Sequence, residues 1–271
     1  MEQKKLTTDL FFSKRSPGEK PLIVGHRGGA AYAPENTIAA VKYAVSLGLA
    51  AVELDVQLTK DDVFIFTHDR LIDGTPVAEF TYSELKSLRP DIAAFDEIIA
   101  IAKGRIGLMV HPVWVEDGNK EFMKKLAEYI AGKNIIDQTL VISFHRGNFR
   151  AFKEFNPGIR TGLIVEKEKN FPDTPEKLTK LAADAREIGV DDILIPAPDG
   201  DMMKITTEMV NYLREAGFGV EVGTTDISEK QARYALSLGA GMVTANNPGV
   251  LKSLSDGGFP LDLQREFEAA I

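Results

Sequence analysis

Short runs of apolar residues alternate with amphipathic stretches along most of the chain. The apolar runs are continuous, which is typical of strands covered on both faces. The stretches between them repeat apolar residues with a helical period, and several end at a glycine. This alternation predicts a parallel sheet in an α/β fold. The predicted strands are Leu22–Gly25, Ala51–Leu58, Val63–Thr67, Ile106–Val110, Leu140–Phe144, Thr161–Val165, Ile193–Ile195, Gly219–Val222 and Gly241–Thr244. The predicted helices are Thr37–Leu47, Phe95–Ala102, Asn119–Ala131, Asn148–Phe155, Pro175–Ile188, Thr206–Ala216 and Ser228–Leu238.

One pair of strands breaks the alternation. Ala51–Leu58 and Val63–Thr67 are joined only by a turn around Lys60 and Asp61, which is too short for a parallel crossover. The pair is therefore predicted to be an antiparallel hairpin, with one barrel strand and a returning arm. With the returning arm set aside, eight parallel strands remain. This number favours a TIM-type (β/α)8 barrel over a doubly wound open sheet, which typically has fewer strands. We interpret residues 1–271 as a single domain.

Composition narrows the classes of function. The chain has 271 residues, no cysteine, four histidines and a formal net charge of −8. The missing cysteines exclude thiol catalysis, zinc–thiolate sites and iron–sulfur clusters. The acidic balance argues against nucleic acid and anionic membrane partners. No apolar run approaches a membrane span and the start has no signal-peptide core, so we expect a cytoplasmic protein, or a secreted or periplasmic one if a signal peptide has been removed.

The four histidines fall at informative places. In a TIM-type barrel the functional groups lie at the C-terminal ends of the strands. His26, His111 and His145 each end a predicted parallel strand, and His68 ends the returning arm of the hairpin. The hairpin turn also places His68 across from Glu53. We therefore expect all four histidines to share one rim of the barrel.

Glu53 and Asp55 lie two positions apart on one predicted strand. Their side chains point to the same face, which in a barrel strand is the interior. Two buried carboxylates repel each other unless a partner compensates them, and a divalent cation such as Mg²⁺ or Ca²⁺ suits oxygen ligands. The alternative is a pair of solvated acids near a strand end. The apolar flanking residues and the two nearby histidines favour the metal site.

The segment PLIVGHRGGAAYAPENT contains further candidate chemistry. Arg27 offers a bidentate fork suited to a phosphate group. Gly28 and Gly29 allow the backbone to approach a ligand closely and to form an anion-binding nest. A lone histidine such as His26 at a strand end is more often structural, but these neighbours favour a phosphate site. The following Pro-Glu-Asn-Thr begins a helix, and Glu35 and Asn36 either serve the site or only fix the loop.

The stretches HRGGAAYAPENTIAA and VELDVQLTKDDVFIFTHD resemble the signature of the glycerophosphodiester phosphodiesterase family. That signature has His-Arg-Gly, Pro-Glu-Asn-Thr, Glu-x-Asp-Val and a returning strand that ends in His-Asp. The resemblance implies a TIM-type barrel that hydrolyses glycerophosphodiesters to glycerol 3-phosphate and an alcohol, in glycerol and lipid metabolism. It implies His26 and His68 as general acid and base, Arg27 as a phosphate ligand, and Glu53 and Asp55 as ligands of one divalent metal ion, Mg or Ca.

The chain departs from the family pattern at several positions. His111 occupies the place of the family's third metal-binding Glu, and Val113 the place of a Lys. His111 has three open interpretations: a replacement ligand that would suit Mn or Zn, a phosphate-binding group, or an inert histidine. The family's Trp-Thr-x-Asn corresponds to Gly223–Asp226, and the insertion around residues 70–105 looks trimmed. An open pocket is therefore expected, and Trp114 either restores the lost aromatic surface or is an ordinary packed loop residue.

Two further residues are candidates for binding the substrate. His145 and Arg146 follow the fourth barrel strand, and they either face the substrate or belong to a solvated loop. Asp226 ends the motif after strand seven and is a second candidate.

Three functions compete on this evidence. The primary hypothesis is a metal-dependent phosphodiester hydrolase acting on a small-molecule phosphodiester. The second is a non-catalytic phosphate- or metabolite-binding barrel of the same family, motivated by His111, Val113 and Gly223. The third is a metal-dependent isomerase or aldolase. The lack of a strand-end lysine, which could serve as a base or form a Schiff base, argues against it. Nothing in the sequence indicates the oligomeric state.

Overall fold

The computed structural model describes residues 9–12, 14–16, 18–167 and 171–257. Its strands are β1 Leu22–Gly25, β2 Ala51–Leu58, β3 Phe64–Phe66, β4 Leu71–Ile72, β5 Thr75–Pro76, β6 Ala93–Ala94, β7 Gly107–Pro112, β8 Thr139–Ser143, β9 Arg160–Ile164, β10 Asp192–Pro196, β11 Gly219–Gly223 and β12 Met242–Ala245. Its helices are α1 Asp9–Phe12, α2 Ile38–Ser46, α3 Tyr82–Leu88, α4 Phe95–Ala102, α5 Lys120–Gly132, α6 Arg146–Phe155, α7 Pro175–Ile188, α8 Thr207–Glu215, α9 Glu229–Ser237 and α10 Pro248–Ser255.

Parallel strands form a closed barrel. The order is β1-β12-β11-β10-β9-β8-β7-β2, and β2 pairs again with β1. This closure confirms the predicted TIM-type barrel and excludes the doubly wound open sheet, whose edges would stay unpaired. None of the helices within the described ranges is both long enough and apolar enough to cross a membrane.

The predicted hairpin forms, with a small change in register. β3 runs antiparallel to β2 and pairs Phe66 with Val56. The amide of Thr67 donates to the carbonyl of Asp55, which shifts the expected pairing by one residue. β6 then pairs with the outer edge of β3. The sequence pattern missed β4, β5, β6 and the helices α1, α3 and α10, because elements this brief carry little periodicity.

The barrel interior is closed at its N-terminal end. Phe12 of α1 packs there against an apolar cluster that includes Val24, Met109 and Leu140. Gly107 is required beneath it, because a Cβ at that position would lie 2.8 Å from the ring of Phe12. A second, larger apolar layer fills the space between the strands and the surrounding helices. Since this end is plugged, the residues that the structure describes leave the interior open toward the C-terminal ends of the strands.

Candidate active site

The C-terminal ends of the barrel strands surround a cavity of about 280 Å³. It receives six of the eight site residues expected from the sequence. One side of the cavity is polar, and the strands β8, β9 and β10 supply an apolar wall on the other. The lining residues are His26, Arg27, Glu53, Asp55, His68, His111, Ile142, Phe144, Ile164, Lys167, Leu194, Ile195, Pro196, Glu221, Gly223, Thr224, Thr225 and Thr244.

Glu53, Asp55 and His111 converge at the polar side of this cavity. The parallel register of β2 and β7 sets Asp55 beside His111. Nδ1 of His111 lies 3.2 Å from Oδ1 of Asp55 and 3.9 Å from Oε1 of Glu53. One candidate ligand atom from each of the three residues lies within 4.8 Å of the other two. Glu53 is 4% exposed and Asp55 2%, so both acids are buried as the apolar flanking residues predicted.

Burial makes the two acids differ in charge. For Glu53, desolvation and the nearby charge of Asp55 raise the pKa to about 8. Desolvation also acts on Asp55, but its hydrogen bond with His111 and the charge of Arg27 outweigh it and lower the pKa. At neutral pH a proton on Glu53 therefore relieves the repulsion between the carboxylates. A divalent cation would replace that proton and stabilise both acids in the ionised form.

The three side chains fit a divalent metal ion. They offer two carboxylate groups and one imidazole nitrogen, all of which are ligands of divalent cations in proteins. The imidazole donor widens the choice from Mg²⁺ and Ca²⁺ to Mn²⁺ and Zn²⁺.

Asn36 holds Asp55 in position. Its amide group donates from Nδ2 to Oδ2 of Asp55 at 3.1 Å, and its Oδ1 accepts the backbone N–H of Asp55 at 2.9 Å. Asn36 is buried and adopts a positive φ of 60°, which asparagine tolerates better than most residues. The N-cap of α2 is Thr37, which accepts from the amide of Ala40. Asn36 is therefore more than a loop-fixing residue, because it orients a candidate metal ligand.

Arg27 is fixed between acidic groups at the cavity wall. Its Nη1 donates to both carboxylate oxygens of Glu35 at 3.0 Å, and its Nε lies 3.3 Å from Oδ2 of Asp55. Its backbone N–H donates to Oε2 of Glu53. Gly28 follows at a φ of 87°, and a Cβ there would lie 2.6 Å from the Cβ of Ala40. The glycine thus lets the loop pack against α2 and brings Arg27 to the cavity.

His26 is held in one tautomer. Its Nδ1 lies 2.6 Å from Oδ1 of Asn246, an oxygen that can only accept, so Nδ1 carries the proton. Nε2 lies 3.8 Å from Oε2 of Glu53 and is the basic atom. Desolvation lowers the pKa of His26, although the hydrogen bond with Asn246 acts in the opposite direction. The neutral imidazole is therefore the prevailing form near pH 7.

Two aromatic residues lie beside the histidines. The indole N–H of Trp114 donates to the carbonyl oxygen of His68 at 2.8 Å, and the two rings meet edge to face. Phe144 makes a similar contact with His111. Trp114 is 56% exposed and has a positive φ of 60°, an unfavourable conformation for a bulky residue. Trp114 thus contacts a candidate catalytic residue rather than packing only within its own loop.

Two expected site residues lie elsewhere. The side chains of His145 and Asp226 are exposed, and neither belongs to the cavity lining. His145 is the N-cap residue of α6, and Arg146 donates to Asp184 on the outer helix layer. We therefore give neither His145 nor Asp226 a role in the mechanism.

Several residues of the site received no role from the sequence, and three of them are singled out by their charge or contacts. Asn246 orients His26, Glu221 lies in the lining on β11, and Lys167 reaches the cavity from the end of β9. Glu221 carried a usable signal, because it is an acid between two valines, much as Glu53 is flanked by apolar residues. Asn246 is an ordinary polar residue after a strand, so only the folded structure distinguishes it.

Comparisons with known proteins agree with this arrangement. The family model described as the glycerophosphoryl diester phosphodiesterase family matches residues 26–250. The glycerophosphodiester phosphodiesterase of Caldanaerobacter subterraneus subsp. tengcongensis is 33% identical over 168 residues, which is 54% of this chain and 68% of the relative. The enzyme of that name from Bacillus altitudinis is 28% identical, over 83% of this chain and 94% of the relative.

A solved structure shares the fold. It is a phosphodiesterase from Oleispira antarctica in complex with the product sn-glycerol-3-phosphate. It is 20% identical, superposes with a TM-score of 0.68, and the match covers 88% of this chain and 97% of that one. The sequence resemblance is thus confirmed: this chain belongs to the glycerophosphoryl diester phosphodiesterase family, a family of phosphoric diester hydrolases.

Proposed function

We propose that the chain is a metal-dependent phosphodiesterase that cleaves glycerophosphodiesters, or a related small phosphodiester, into glycerol 3-phosphate and an alcohol. The observation that carries the proposal is the convergence of an acid–acid–imidazole group and two further histidines on one cavity. A binding protein would need a bound cation and a residue that binds phosphate. It would not need two histidines placed at the same cavity to transfer protons.

Glu53, Asp55 and His111 would hold the metal ion. When bound, a divalent ion neutralises the negative charge that builds on the phosphoryl oxygens during the reaction. Asn36 keeps Asp55 oriented toward the other two ligands through its pair of hydrogen bonds. Such outer contacts usually contribute to metal affinity.

His26 serves as the general base in this proposal. Its Nδ1 proton is engaged by Asn246, so Nε2 is free to take a proton from the attacking hydroxyl group. The family resemblance makes that hydroxyl the one neighbouring the phosphate on glycerol. Its oxygen then attacks phosphorus, the bond to the alcohol oxygen breaks, and a cyclic phosphate forms.

His68 serves as the general acid. In its protonated form it donates a proton to the departing alcohol oxygen, and the contact with Trp114 holds its backbone at the cavity rim. In the second step water opens the cyclic phosphate and the two histidines exchange roles, which releases glycerol 3-phosphate. Arg27 binds a phosphate oxygen throughout, because Glu35 and Asp55 fix its guanidinium at the cavity wall.

Release of glycerol 3-phosphate from glycerophosphocholine and glycerophosphoethanolamine tests the proposal. Protein treated with a chelator should be inactive, and at least one of Mg²⁺, Ca²⁺, Mn²⁺ and Zn²⁺ should restore turnover. A bound-metal structure should show Glu53, Asp55 and His111 as ligands. Binding of glycerol 3-phosphate without turnover under any of these metals would contradict the proposal and favour the non-catalytic barrel.

A further inference from the structure

Glu221 is a buried acid in the cavity lining that the proposed mechanism does not use. It lies on β11 with 5% of its surface exposed. Its Oε1 accepts a hydrogen bond from the hydroxyl of Thr244 at 2.5 Å. Its Oε2 is buried and has no hydrogen-bond partner within the described ranges. Because buried polar atoms are nearly always paired, this oxygen points to a ligand group.

Access to Glu221 depends on Gly223, two residues further along β11. A Cβ at Gly223 would lie 3.8 Å from Oε1 of Glu221 and 3.4 Å from the Cβ of Thr244. A larger side chain there would therefore cover the acid. Both residues line the cavity, so the glycine leaves the Oε1 side of Glu221 uncovered by a side chain at position 223.

The surroundings of Glu221 select the chemistry of its ligand. Leu194 is its register partner on β10, and the acids Glu53 and Asp192 lie close enough to raise its pKa. These acidic neighbours offer a phosphate group no positive partner. Desolvation raises the pKa of Glu221 to about 8, so the side chain is mainly a neutral acid at pH 7. With Oε1 engaged by Thr244, the acid proton is left to Oε2, which can donate to a hydroxyl oxygen.

We infer that Glu221, with its neighbour Thr244, binds the free terminal hydroxyl of the glycerol half of the substrate. This inference rests on the proposed function, because it takes the substrate to be a glycerophosphodiester. Glu221 then acts as a specificity-determining residue that distinguishes glycerol esters from phosphate esters of plain alcohols. The residue that recognises the glycerol hydroxyl is then Glu221, whereas other residues bind the phosphate group.

Two ligands of equal charge test this inference. Glycerol 3-phosphate has the hydroxyl groups, whereas ethyl phosphate lacks them. Dissociation constants are measured on protein loaded with one divalent metal, for wild type, Glu221→Leu, Glu221→Gln and the exposed control Glu215→Gln. We expect Glu221→Leu to weaken glycerol 3-phosphate about tenfold and to leave ethyl phosphate within about twofold. Glu221→Gln should keep most of the affinity, because its amide still donates, and Glu215→Gln should match wild type.

Gly223→Val provides a second route if Glu221→Leu does not fold. The branched side chain would cover Glu221 and should weaken glycerol 3-phosphate selectively. Equal weakening of both ligands, or no effect on either, would overturn the inference. Weakening confined to turnover of glycerophosphoglycerol, with glycerophosphocholine unaffected, would assign Glu221 to the alcohol half and also overturn it. The dissociation constants do not depend on turnover. A failure of the catalytic proposal would therefore appear separately, as absent turnover with the preference for glycerol 3-phosphate over ethyl phosphate intact.

Discussion

The Nδ1 atom of His26 lies 2.6 Å from the amide oxygen of Asn246. The two residues follow β1 and β12, which are neighbours in the barrel. The contact fixes the imidazole tautomer and leaves Nε2 directed to the side of Glu53. Asn246 is thus a positioning residue for the proposed base. The side chain at position 246 also affects the pKa of His26, and therefore the pH above which the base is neutral.

Asn246→Asp should move the pH dependence of the reaction. An ionised carboxylate in place of the amide would raise the pKa of His26, by about one unit or more. A base must be unprotonated, so the acidic limb of the kcat/KM profile should move to higher pH by the same amount. The measurement is kcat/KM for glycerophosphocholine across the acidic range.

The matched control is Asn211→Asp, which adds the same charge at an exposed position on α8. Its profile should coincide with that of the wild type. An acidic limb that stays in place in Asn246→Asp would mean that His26 is not the base.

The two histidines should respond differently to the leaving group. His26→Ala and His68→Ala should each lower kcat for glycerophosphocholine by roughly 10²-fold or more, because each removes a proton-transfer group. The p-nitrophenyl ester of glycerol phosphate releases a stable phenolate that needs no proton. With that substrate the first step, measured as the rate of phenolate release in a single turnover, should recover in His68→Ala but not in His26→Ala. Recovery of His26→Ala instead would reverse the assignment of base and acid.

The barrel and the candidate metal site were predictable because local patterns encode them. Continuous apolar runs mark the strands, and the alternation at Glu53 and Asp55 turns both acids inward whatever the distant residues do. The histidines at strand ends followed from the same rule. Within the barrel strands and the hairpin, the register of the hairpin differs from the expected one by one residue, because it depends on how the turn at Thr59–Val63 closes.

Contacts between distant segments were not predictable from one sequence. Asn246 meets His26 across a separation of 220 residues, and nothing near Asn246 indicates the pairing. His145 is a second case, because the sequence left open whether it faces the substrate or solvent. It lies two residues beyond the end of β8, and helix α6 begins right after it, so its side chain is exposed.

His111→Glu should change which metal the site prefers. The substitution places a third carboxylate beside Glu53 and Asp55, which adds negative charge and an oxygen donor. Ca²⁺ affinity should rise roughly tenfold and Zn²⁺ affinity should fall, because Ca²⁺ prefers oxygen ligands and Zn²⁺ accepts imidazole well. Titration calorimetry on chelator-treated protein measures both.

His145→Glu makes the same chemical change at an exposed histidine outside the cavity. Its metal affinities should equal those of the wild type. Unaltered Ca²⁺ and Zn²⁺ affinities in His111→Glu would remove His111 from the ligand set.

Glu221→Gln should alter how the stability of the metal-free protein depends on pH. The pKa of Glu221 rises from 4.5 to about 8 on folding, so between these values the folded chain keeps a proton that the unfolded chain releases. Wild-type stability should therefore fall as pH rises through this window, by up to about 1.4 kcal/mol per pH unit from this group. Glutamine does not titrate, so the unfolding free energy of the variant relative to wild type should increase steadily with pH. Urea denaturation at several pH values measures this difference.

Glu53 titrates in both proteins, so its contribution largely cancels in the difference. The exposed control Glu215→Gln should give a difference independent of pH, and a similarly flat result for Glu221→Gln would show that Glu221 is ionised in the folded state.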